Sequence, residues 1–410
     1  MSENNSTISF DNTEIAFAAK SDSELKKAHF LFSSMGKPWL VKFGLTLTPV
    51  AIKWHLPFTK TVIRKTIFQQ FVGGETLAQT AKVADKLEEY KVQVILDYGV
   101  EGKEGEENFE HARDEFKRVI TYAATQANIP FISIKVTGFA RFALLEKLDA
   151  AMNAASGTLM KRYLNAVESL SATEKEEWHS VRVRMLNICE EAAEKNIGVL
   201  VDAEETWIQD PVDALTILMM DSFNKNKLVV FNTLQMYRHD RLQFLKDSYT
   251  AAAERNFILG VKLVRGAYMD KERNRAAEMN YPSPIQPDKQ SSDNDYNTAL
   301  EFCINHLEKI SIIVASHNEY SSLYTTQLLH KKGLPLNHPH VHFSQLYGMS
   351  DNITFNLAKS GCLVSKYLPF GPIKDVIPYL MRRAQENSSV AGQTGRELGL
   401  IKKELNRRKT

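Results

Sequence analysis

Residues 362–387, CLVSKYLPFGPIKDVIPYLMRRAQEN, contain one complete unit of a β-strand followed by an α-helix. The run Cys362–Leu368 is rich in β-forming residues, and Pro372 suits the first turn of a helix, where its missing backbone N–H is not needed. An apolar stripe then recurs at helical spacing and consists of Ile373, Val376, Ile377, Leu380 and Ala384. The stretch therefore predicts a buried strand that leads into an amphipathic helix.

The same alternation of strand and helix recurs along most of the preceding chain. Seven further runs are nearly continuous in Val, Ile and Leu, as expected for parallel strands that are buried on both faces. These runs are Val92–Tyr98, Phe131–Thr137, Ile197–Ala203, Lys227–Gln235, Phe257–Val264, Ile310–Ser316 and His340–Leu346. Helical patterns separate them, and one begins with a capping box of Ser171 and Glu174. Eight such units predict a (β/α)8 barrel of the TIM type over residues 92–390.

An open, doubly wound sheet is the alternative fold. It fits less well because no GxGxxG motif follows any strand and because eight regular units exceed what that fold usually needs. Two segments flank the predicted barrel. Residues 1–91 carry a helical pattern interrupted by prolines and predict an N-terminal helical extension, whereas residues 391–410 predict a basic helical tail.

Composition limits the classes of function. Lys and Arg number 51 against 49 Asp and Glu, a net charge of +2, which gives no electrostatic case for nucleic acid. The three cysteines, Cys189, Cys303 and Cys362, are far apart and predict free thiols in a reducing compartment. The first residues lack the pattern of a signal peptide, and no apolar run reaches the ~18 residues needed to span a bilayer. The sequence thus predicts a soluble cytoplasmic protein.

Polar side chains follow the predicted strands at their carboxyl ends, where barrel enzymes carry out their chemistry. They are Asp97, Lys135, Asp202, Gln235, Lys262, Arg265, His317, Gln345, Tyr347 and Tyr367. Lys135 is the only charged residue between Ala127 and Ala140, so its ammonium needs an anionic partner from the protein or from a ligand. Asp202 ends the apolar run GVLVD and needs hydrogen-bond donors for the same reason.

The helix after the last strand has a polar face formed by Tyr379, Arg382, Arg383 and Glu386. This face is either solvated, with Arg382 and Glu386 as an ion pair, or it is a clamp for a carboxylate or phosphate, which guanidinium groups bind bidentately. The histidines of HPHVHF alternate along a predicted strand, but no Cys, Asp or Glu lies close in sequence to complete a metal site. We therefore expect no metal.

Six motifs, in order between residues 96 and 387, together resemble the proline dehydrogenase family of flavoenzymes. They are LDYGVEG, VDAEETW, KLVRGAY, ASHNEY, QLYGM and YLPFGPIKDVIPYLMRRAQEN. The resemblance implies a distorted (β/α)8 barrel with FAD at the carboxyl ends of the strands. It also implies that the last helix lies across the barrel mouth and presents two arginines to the substrate.

The resemblance further implies roles for individual residues. Arg382, Arg383 and Lys135 would bind the carboxylate of proline, and Asp202 would be the active-site aspartate that orients a neighbouring group. The walls around the proline ring would be Tyr268, Leu346, Tyr367 and Tyr379. Glu101 occupies the position of a gating glutamate that can pair with one of the arginines.

The residues that would bind FAD are Ala203, Gln235, Lys262, Arg265, Gly266, Ala267, Ser316, His317 and Glu386. Many bacterial relatives carry arginine at the position of Lys262, so this chain keeps the charge and loses the fork geometry. We expect Lys262 to act with Asp202 in catalysis, because a cation near the flavin N1 and N5 atoms stabilises the anionic reduced ring.

The implied activity is oxidation of L-proline to Δ1-pyrroline-5-carboxylate by hydride transfer to FAD N5, the first step of proline catabolism. Electrons would pass to a membrane quinone through peripheral contact at the inner face of the membrane, and a separate pyrroline-5-carboxylate dehydrogenase would take the product. Three alternatives are open. They are a hydroxyproline dehydrogenase on the same scaffold, a barrel lyase that forms a Schiff base through Lys135, and a barrel that senses amino acids without catalysis.

Overall fold

The computed structural model describes residues 8–54, 59–99, 104–389 and 391–409. Eight parallel strands form a closed barrel in the order of the chain. They are β1 (Gln93–Tyr98), β2 (Phe131–Ile134), β3 (Gly198–Val201), β4 (Val230–Gln235), β5 (Leu259–Val264), β6 (Ile310–Ala315), β7 (Val341–Leu346) and β8 (Val364–Phe370). The predicted (β/α)8 barrel is confirmed, and the doubly wound sheet is excluded.

The helices fill the segments around the strands. From the N-terminus to β4 they are α1 (Thr13–Ala16), α2 (Asp22–Met35), α3 (Pro38–Lys53), α4 (Thr59–Ile63), α5 (Gln69–Phe71), α6 (Leu77–Glu88), α7 (Glu106–Ala123), α8 (Phe142–Ala154), α9 (Leu159–Glu168), α10 (Ala172–Lys195) and α11 (Thr206–Phe223). The remaining ones are α12 (Arg241–Arg255), α13 (Met269–Glu278), α14 (Lys289–Asn305), α15 (Glu319–Lys331), α16 (Asp351–Lys359), α17 (Ile373–Ser389) and α18 (Ala391–Arg407). A π-helical turn, Arg64–Phe68, joins α4 to α5.

The chain divides into two compact units, one formed by residues 1–100 and 343–410 and the other by residues 101–342. In the first unit β1 pairs with β8, so that Ile95 lies opposite Tyr367. The N-terminal helices and the last two helices share one apolar core in this unit, with Phe32, Phe71 and Ile401 almost fully buried. The two ends of the chain are thus held together by burial of apolar side chains.

In the second unit strands β2 to β6 pair in parallel, with Thr233 opposite Lys262 and Leu263 opposite Val314. The predicted capping box of α10 is confirmed. The Ser171 N–H donates to the Glu174 carboxylate at 2.9 Å, and the Glu174 N–H donates to Ser171 Oγ at 3.3 Å. Strand β2 is shorter than predicted, because the chain turns into a 3₁₀ helix at Val136–Gly138.

Two further sequence expectations can be compared with the structure. Cys189, Cys303 and Cys362 are buried free thiols. Among the residues that the structure describes, no helix combines the length and the apolar character required to cross a bilayer.

Candidate active site

Asp202, directly after β3, forms an ion pair with Lys262, which lies within β5. Lys262 is only 4% exposed, and the Asp202 backbone N–H donates to the carbonyl of Ile134 at 2.9 Å, which fixes the carboxylate next to the sheet. A desolvated ammonium requires such a partner, because burying an unpaired charge is very costly. The ion pair therefore holds a positive charge on a rigid strand of the second unit.

Arg265 directly follows β5 and is fixed on several sides. Its Nε donates to Asp293 Oδ1 at 2.7 Å, its Nη1 to Ser316 Oγ at 2.8 Å and its Nη2 to Ser321 Oγ at 3.0 Å. The guanidinium also lies 4.3 Å from the centre of the Tyr296 ring, within the range of a cation–π contact. Three of its five N–H groups are used in these bonds, so the group is oriented and can still donate to a ligand.

Gly266 lets the backbone turn sharply after Arg265. Its φ of +134° lies in a region that side chains disfavour, and a Cβ at this position would lie 2.4 Å from the Tyr237 ring. The Tyr237 N–H donates to the Arg265 carbonyl at 2.8 Å, which keeps the two segments adjacent. Ala267 and Tyr268 then lead into α13.

Glu204 is a buried carboxylate that the sequence did not lead us to single out. It accepts hydrogen bonds from Thr137 Oγ1 at 2.8 and 2.9 Å, and its backbone N–H donates to Gln209 Oε1 at 2.9 Å. Its carbonyl accepts from Gln235 Nε2 at 2.7 Å, so this predicted ligand-binding side chain is positioned by the segment after β3. The sequence feature that could have identified Glu204 is its position in the motif VDAEETW, two residues after Asp202.

The other predicted residues of the second unit also follow strands. Lys135 comes directly after β2 and is half-buried. Ser316 and His317 follow β6, and Ser316 Oγ additionally accepts from the backbone N–H of Asn318 at 3.1 Å. Ala203 lies between Asp202 and Glu204 after β3.

In the first unit, α17 brings together three of the four residues of the predicted polar face. Arg383 is only 6% exposed and donates from Nη2 to Glu386 Oε1 at 2.7 Å, while its Nη1 lies 2.5 Å from Glu386 Oε2. Its guanidinium lies 5.2 Å from the centre of the Tyr379 ring. The interpretation of this face as fully solvated is therefore wrong for Arg383, which is buried. The carboxylate of Glu386 forms an ion pair with Arg383.

Two buried polar groups on this helix have no hydrogen-bond partner among the described residues, namely Arg383 Nε and the Tyr379 hydroxyl. Burial raises the pKa of Tyr379, an effect that nearby Arg383 opposes, so the phenol stays protonated at neutral pH. Buried donors without partners are uncommon in proteins, so these two groups are available to a ligand. Arg382, on the same helix, is half-buried.

Leu346 and Tyr367 are the other predicted site residues of the first unit. Leu346 is the last residue of β7 and packs against the apolar core, and Tyr367 lies on β8 as its half-buried register partner. Asp97 on β1 is buried, and its charge acts to raise the pKa of Tyr379. Glu101 lies outside the described residues.

The histidines of HPHVHF have structural contacts. His340 Nδ1 lies 2.7 Å from the carbonyl of Leu307, and burial lowers the pKa of His342 to about 3. Within the described parts of the chain, no group of three His, Cys, Asp or Glu residues is arranged to hold a metal ion.

A closed (β/α)8 barrel with charged side chains fixed at the carboxyl ends of its strands is the arrangement typical of TIM-barrel enzymes. The sequence model of the family described as proline dehydrogenase matches residues 80–396. The chain therefore belongs to the proline dehydrogenase family.

Individual relatives agree with this assignment. The chain is 32% identical over 374 residues to proline dehydrogenase 1, mitochondrial, of Dictyostelium discoideum, a match that covers 84% of this chain and 65% of the relative. It is 31% identical over 425 residues to the hydroxyproline dehydrogenase of Rattus norvegicus, covering 96% and 93%. A crystal structure of proline utilization A from Bdellovibrio bacteriovorus shares the fold, with a TM-score of 0.69 at 19% identity, over 93% of this chain and 36% of that one.

The comparisons correct one expectation. The prediction of a cytoplasmic protein is wrong, because the Dictyostelium discoideum and Homo sapiens relatives are both named mitochondrial enzymes.

Proposed function

We propose that this protein oxidises L-proline to Δ1-pyrroline-5-carboxylate with FAD as its cofactor, as the first step of proline catabolism. The observation that carries the proposal is the buried Arg383 Nε, which has no partner among the described residues. Leaving this donor unpaired costs free energy, and an anionic ligand would satisfy it. Membership of the proline dehydrogenase family makes the carboxylate of proline the leading candidate.

The substrate carboxylate is assigned to Arg382, Arg383 and Lys135. Glu386 supports this assignment because it occupies both Nη groups of Arg383 and fixes the plane of the guanidinium. Fixed cations determine the orientation of the proline ring, so that the carbon next to nitrogen and distal to the carboxylate is presented for oxidation. The proposed walls around the ring are Tyr268, Leu346, Tyr367 and Tyr379.

The second unit offers hydrogen-bond donors that would suit a flavin dinucleotide. Gln235 and Arg265 are positioned by hydrogen bonds, and Arg265 keeps two N–H groups for an anionic ligand. Thr233 Oγ1 is buried without a partner among the described residues, on the residue in register with Lys262. The remaining proposed contacts are Ala203, Gly266, Ala267, Ser316 and His317. When bound, FAD would supply the hydride acceptor.

Asp202 and Lys262 are assigned a shared electrostatic role. Asp202 holds the Lys262 ammonium by an ion pair. A lysine placed beside the flavin N1 and N5 atoms would stabilise negative charge on the reduced ring. We assign Asp202 to positioning and Lys262 to this stabilisation.

Electrons would leave to a membrane quinone, and the product would pass to a separate pyrroline-5-carboxylate dehydrogenase. Both partners are proposed because the electrons must pass to an acceptor and because the imine product hydrolyses to an aldehyde, which a second dehydrogenase can oxidise.

Hydroxyproline oxidation is the second candidate. The match to the rat hydroxyproline dehydrogenase covers 96% of this chain and 93% of the rat enzyme. The match to the Dictyostelium proline dehydrogenase covers 65% of that relative. Tyr367 favours proline, since a phenol ring against the substrate leaves less room for a ring hydroxyl. Comparing kcat/KM for the two imino acids decides between them, and faster oxidation of hydroxyproline would reverse the choice.

The test of the proposal is an absorption spectrum of the purified protein before and after anaerobic addition of L-proline. We expect flavin bands that bleach with L-proline. Flavin bands that bleach only with hydroxyproline would move the activity to the second candidate.

A protein that stays colourless after added FAD would overturn the flavoenzyme proposal. In that case, trapping by borohydride with a carbonyl substrate would point to a lyase that uses Lys135. Proline binding without flavin or trapping would point to a sensor.

A further inference from the structure

Residues 346–351, here called the β7 loop, join the end of β7 to the start of α16. The Tyr347 N–H donates to the carbonyl of Tyr367 on β8 at 2.9 Å, so the loop begins as a continuation of the pairing between β7 and β8. Its first residue, Leu346, is one of the proposed walls around the proline ring. Contacts that fix this loop therefore also fix Leu346.

Lys366 on β8 holds the β7 loop from one side. It is only 1% exposed, and its ammonium donates to the carbonyl of Met349 at 2.6 Å and to Asp351 Oδ1 at 2.8 Å, and lies 3.5 Å from the carbonyl of Leu346. Three acceptors thus surround the three protons of this group. Because neighbouring residues of a strand point to opposite faces, Lys366 holds the loop while Tyr367 is a proposed wall on the other face.

The N-terminal extension holds the β7 loop from the other side. Lys20 Nζ lies 3.2 Å from Asp351 Oδ2, so one carboxylate is shared between Lys20 and Lys366. Gln70 Nε2 donates to the carbonyl of Gly348 at 2.7 Å. Gly348 has a φ of +78°, and a Cβ at this position would lie 1.9 Å from the carbonyl oxygen of Gln70. The extension and the loop are therefore in close contact.

The carboxylate of Asp351 is ionised at the centre of this contact. Asp351 is only 3% exposed, and burial acts to raise its pKa, but Lys20 and Lys366 outweigh that effect and keep the pKa below its usual value. A buried carboxylate that loses one of its cations is left with an uncompensated charge. The position of the β7 loop thus depends on both lysines.

The C-terminal tail supports the same contact. Arg408 Nη1 donates to the carbonyl of Lys20 at 2.8 Å, and the Ser350 N–H donates to Glu397 Oε2 at 3.2 Å. Lys20 and Gln70 precede the residues 80–396 that match the family, whereas Glu397 and Arg408 follow them. Both chain ends therefore bring side chains from outside the matched region to a loop of the candidate site.

We propose that Lys20 and Lys366 are positioning residues that determine how closely the site fits a five-membered ring. They act through Asp351 and the β7 loop, which begins with Leu346. The inference rests on the proposed proline oxidation, in which Leu346 bounds the ring, and it gives the N-terminal extension a role in substrate selection. Because neither lysine is assigned to the substrate carboxylate, both should affect binding of the ring and leave binding of the carboxylate unchanged.

The test compares two carboxylates that cannot be oxidised as competitive inhibitors of the full-length protein saturated with FAD. Cyclopentanecarboxylate has the ring without the nitrogen, whereas acetate has the carboxylate alone. In Lys20→Met we expect the inhibition constant of cyclopentanecarboxylate to rise about 10-fold and that of acetate to change by less than about twofold. Lys20→Arg keeps the cation and should restore most of the affinity for the ring.

The kinetics of proline oxidation should change in the same sense. In Lys20→Met the KM for proline should rise about 10-fold while kcat stays within about twofold, because the lost contacts stabilise the ground state and the transition state equally. Lys366→Met should shift the same values further. If that buried substitution prevents folding, Lys20→Met decides alone, since the Lys20 side chain is 21% exposed.

A matched control removes an ion pair elsewhere. Lys147 lies 2.7 Å from Glu174, and Lys147→Met breaks this pair within the second unit. Both inhibition constants and the KM for proline should stay at the values of the wild type. A loss of ring affinity in this control would mean that the effect of Lys20→Met is a general effect of lost ion pairs, which would overturn the inference.

Hydrogen exchange gives a second readout that does not depend on the reaction. The N–H groups of Tyr347 and Ser350 are bonded in the wild type, so amides of residues 346–351 should exchange slowly. In Lys20→Met and in Lys366→Met we expect these amides to exchange at least about tenfold faster, and in Lys147→Met at the rate of the wild type.

Three further outcomes would overturn the inference alone. The first is a wild type that oxidises proline and lysine variants that keep its affinity for cyclopentanecarboxylate. The second is an equal loss of affinity for both inhibitors, which would indicate general damage to the site, and the third is unchanged exchange in the β7 loop. A wild type that does not oxidise proline would overturn the proposed function together with the inference, and it is seen before any variant is compared.

Discussion

At the scale of single residues, the candidate site is marked by groups whose hydrogen bonding is incomplete. Arg383 Nε and the Tyr379 hydroxyl are buried on α17 without partners among the described residues, although Glu386 fixes the rest of the guanidinium. A core of the same size would be more stable with apolar side chains at these positions. Such unsatisfied groups are typical of sites where a ligand completes the structure.

Replacing Arg383 tests this interpretation. Arg383→Lys keeps the positive charge and loses the planar set of guanidinium N–H donors. We therefore expect kcat/KM for proline to fall about 10- to 100-fold, mainly through a higher KM. The flavin spectrum should be unchanged. Steady-state kinetics measures the effect, with the exposed Arg255→Lys as control, and a normal KM for proline in Arg383→Lys would remove Arg383 from substrate binding.

Replacing Lys262 separates charge from hydrogen bonding. Lys262→Met leaves the Asp202 carboxylate without its cation, so we expect a loss of about 2–4 kcal/mol in the free energy of unfolding together with at least a 100-fold slower proline-dependent flavin reduction. Lys262→Arg should keep most of the free energy of unfolding and most of the rate of flavin reduction. Urea unfolding and stopped-flow absorbance give the two values. Equal reduction rates in the Met and Arg variants would show that the charge has no role in the reaction.

At the scale of elements, the sequence predicted the strands and the caps well because both depend on local patterns. The eight apolar runs became β1 to β8, and Ser171 caps α10 as its spacing with Glu174 requires. The partners of Arg265 could not be predicted, since Asp293 and Ser321 are 28 and 56 residues away and only the fold brings them to it. The early end of β2 was missed because VT continues a β-rich run while its backbone turns.

The contact between α8 and α11 gives a prediction about pH. Burial, together with the nearby Asp210 carboxylate, raises the pKa of Asp149 to about 7, although its Oδ1 accepts from the Asp210 N–H at 2.9 Å. The folded protein therefore holds a proton that the unfolded chain has already lost between about pH 4 and pH 7. Stability should fall as the pH rises through this range and level off above it.

Asp149→Asn should remove that dependence. The variant is expected to be about 1–3 kcal/mol more stable than the wild type near pH 8 and close to it near pH 4, because an amide keeps the acceptor without the charge. Urea unfolding at both pH values measures the difference, with the exposed Asp247→Asn as control. A variant that is less stable at both pH values would mean that Asp149 is ionised in the folded protein.

At the scale of the whole molecule, the closure of the barrel explains why the two chain ends pack together. β1 and β8 are neighbours in the sheet, so the helices before β1 and after β8 emerge side by side in one unit. Arg408 on the tail donates to the carbonyls of Lys20 at 2.8 Å and Phe17 at 2.9 Å. The predicted basic tail thus has a structural partner that its composition did not reveal, because the pairing spans almost the whole chain.

Replacing Ile401 tests whether the two chain ends stabilise each other. This residue is 1% exposed in the core shared by α2, α17 and α18. Ile401→Ala should lower the free energy of unfolding of this unit by about 2–4 kcal/mol through the cavity it leaves. Because α18 packs on the N-terminal helices, limited proteolysis should then cut before residue 92 faster than in the wild type, whereas Leu164→Ala on the exposed face of α9 should change neither value. If the cuts in Ile401→Ala fall only within α18, the tail does not stabilise the N-terminal helices. If they fall in both segments, the two chain ends unfold as one cooperative element.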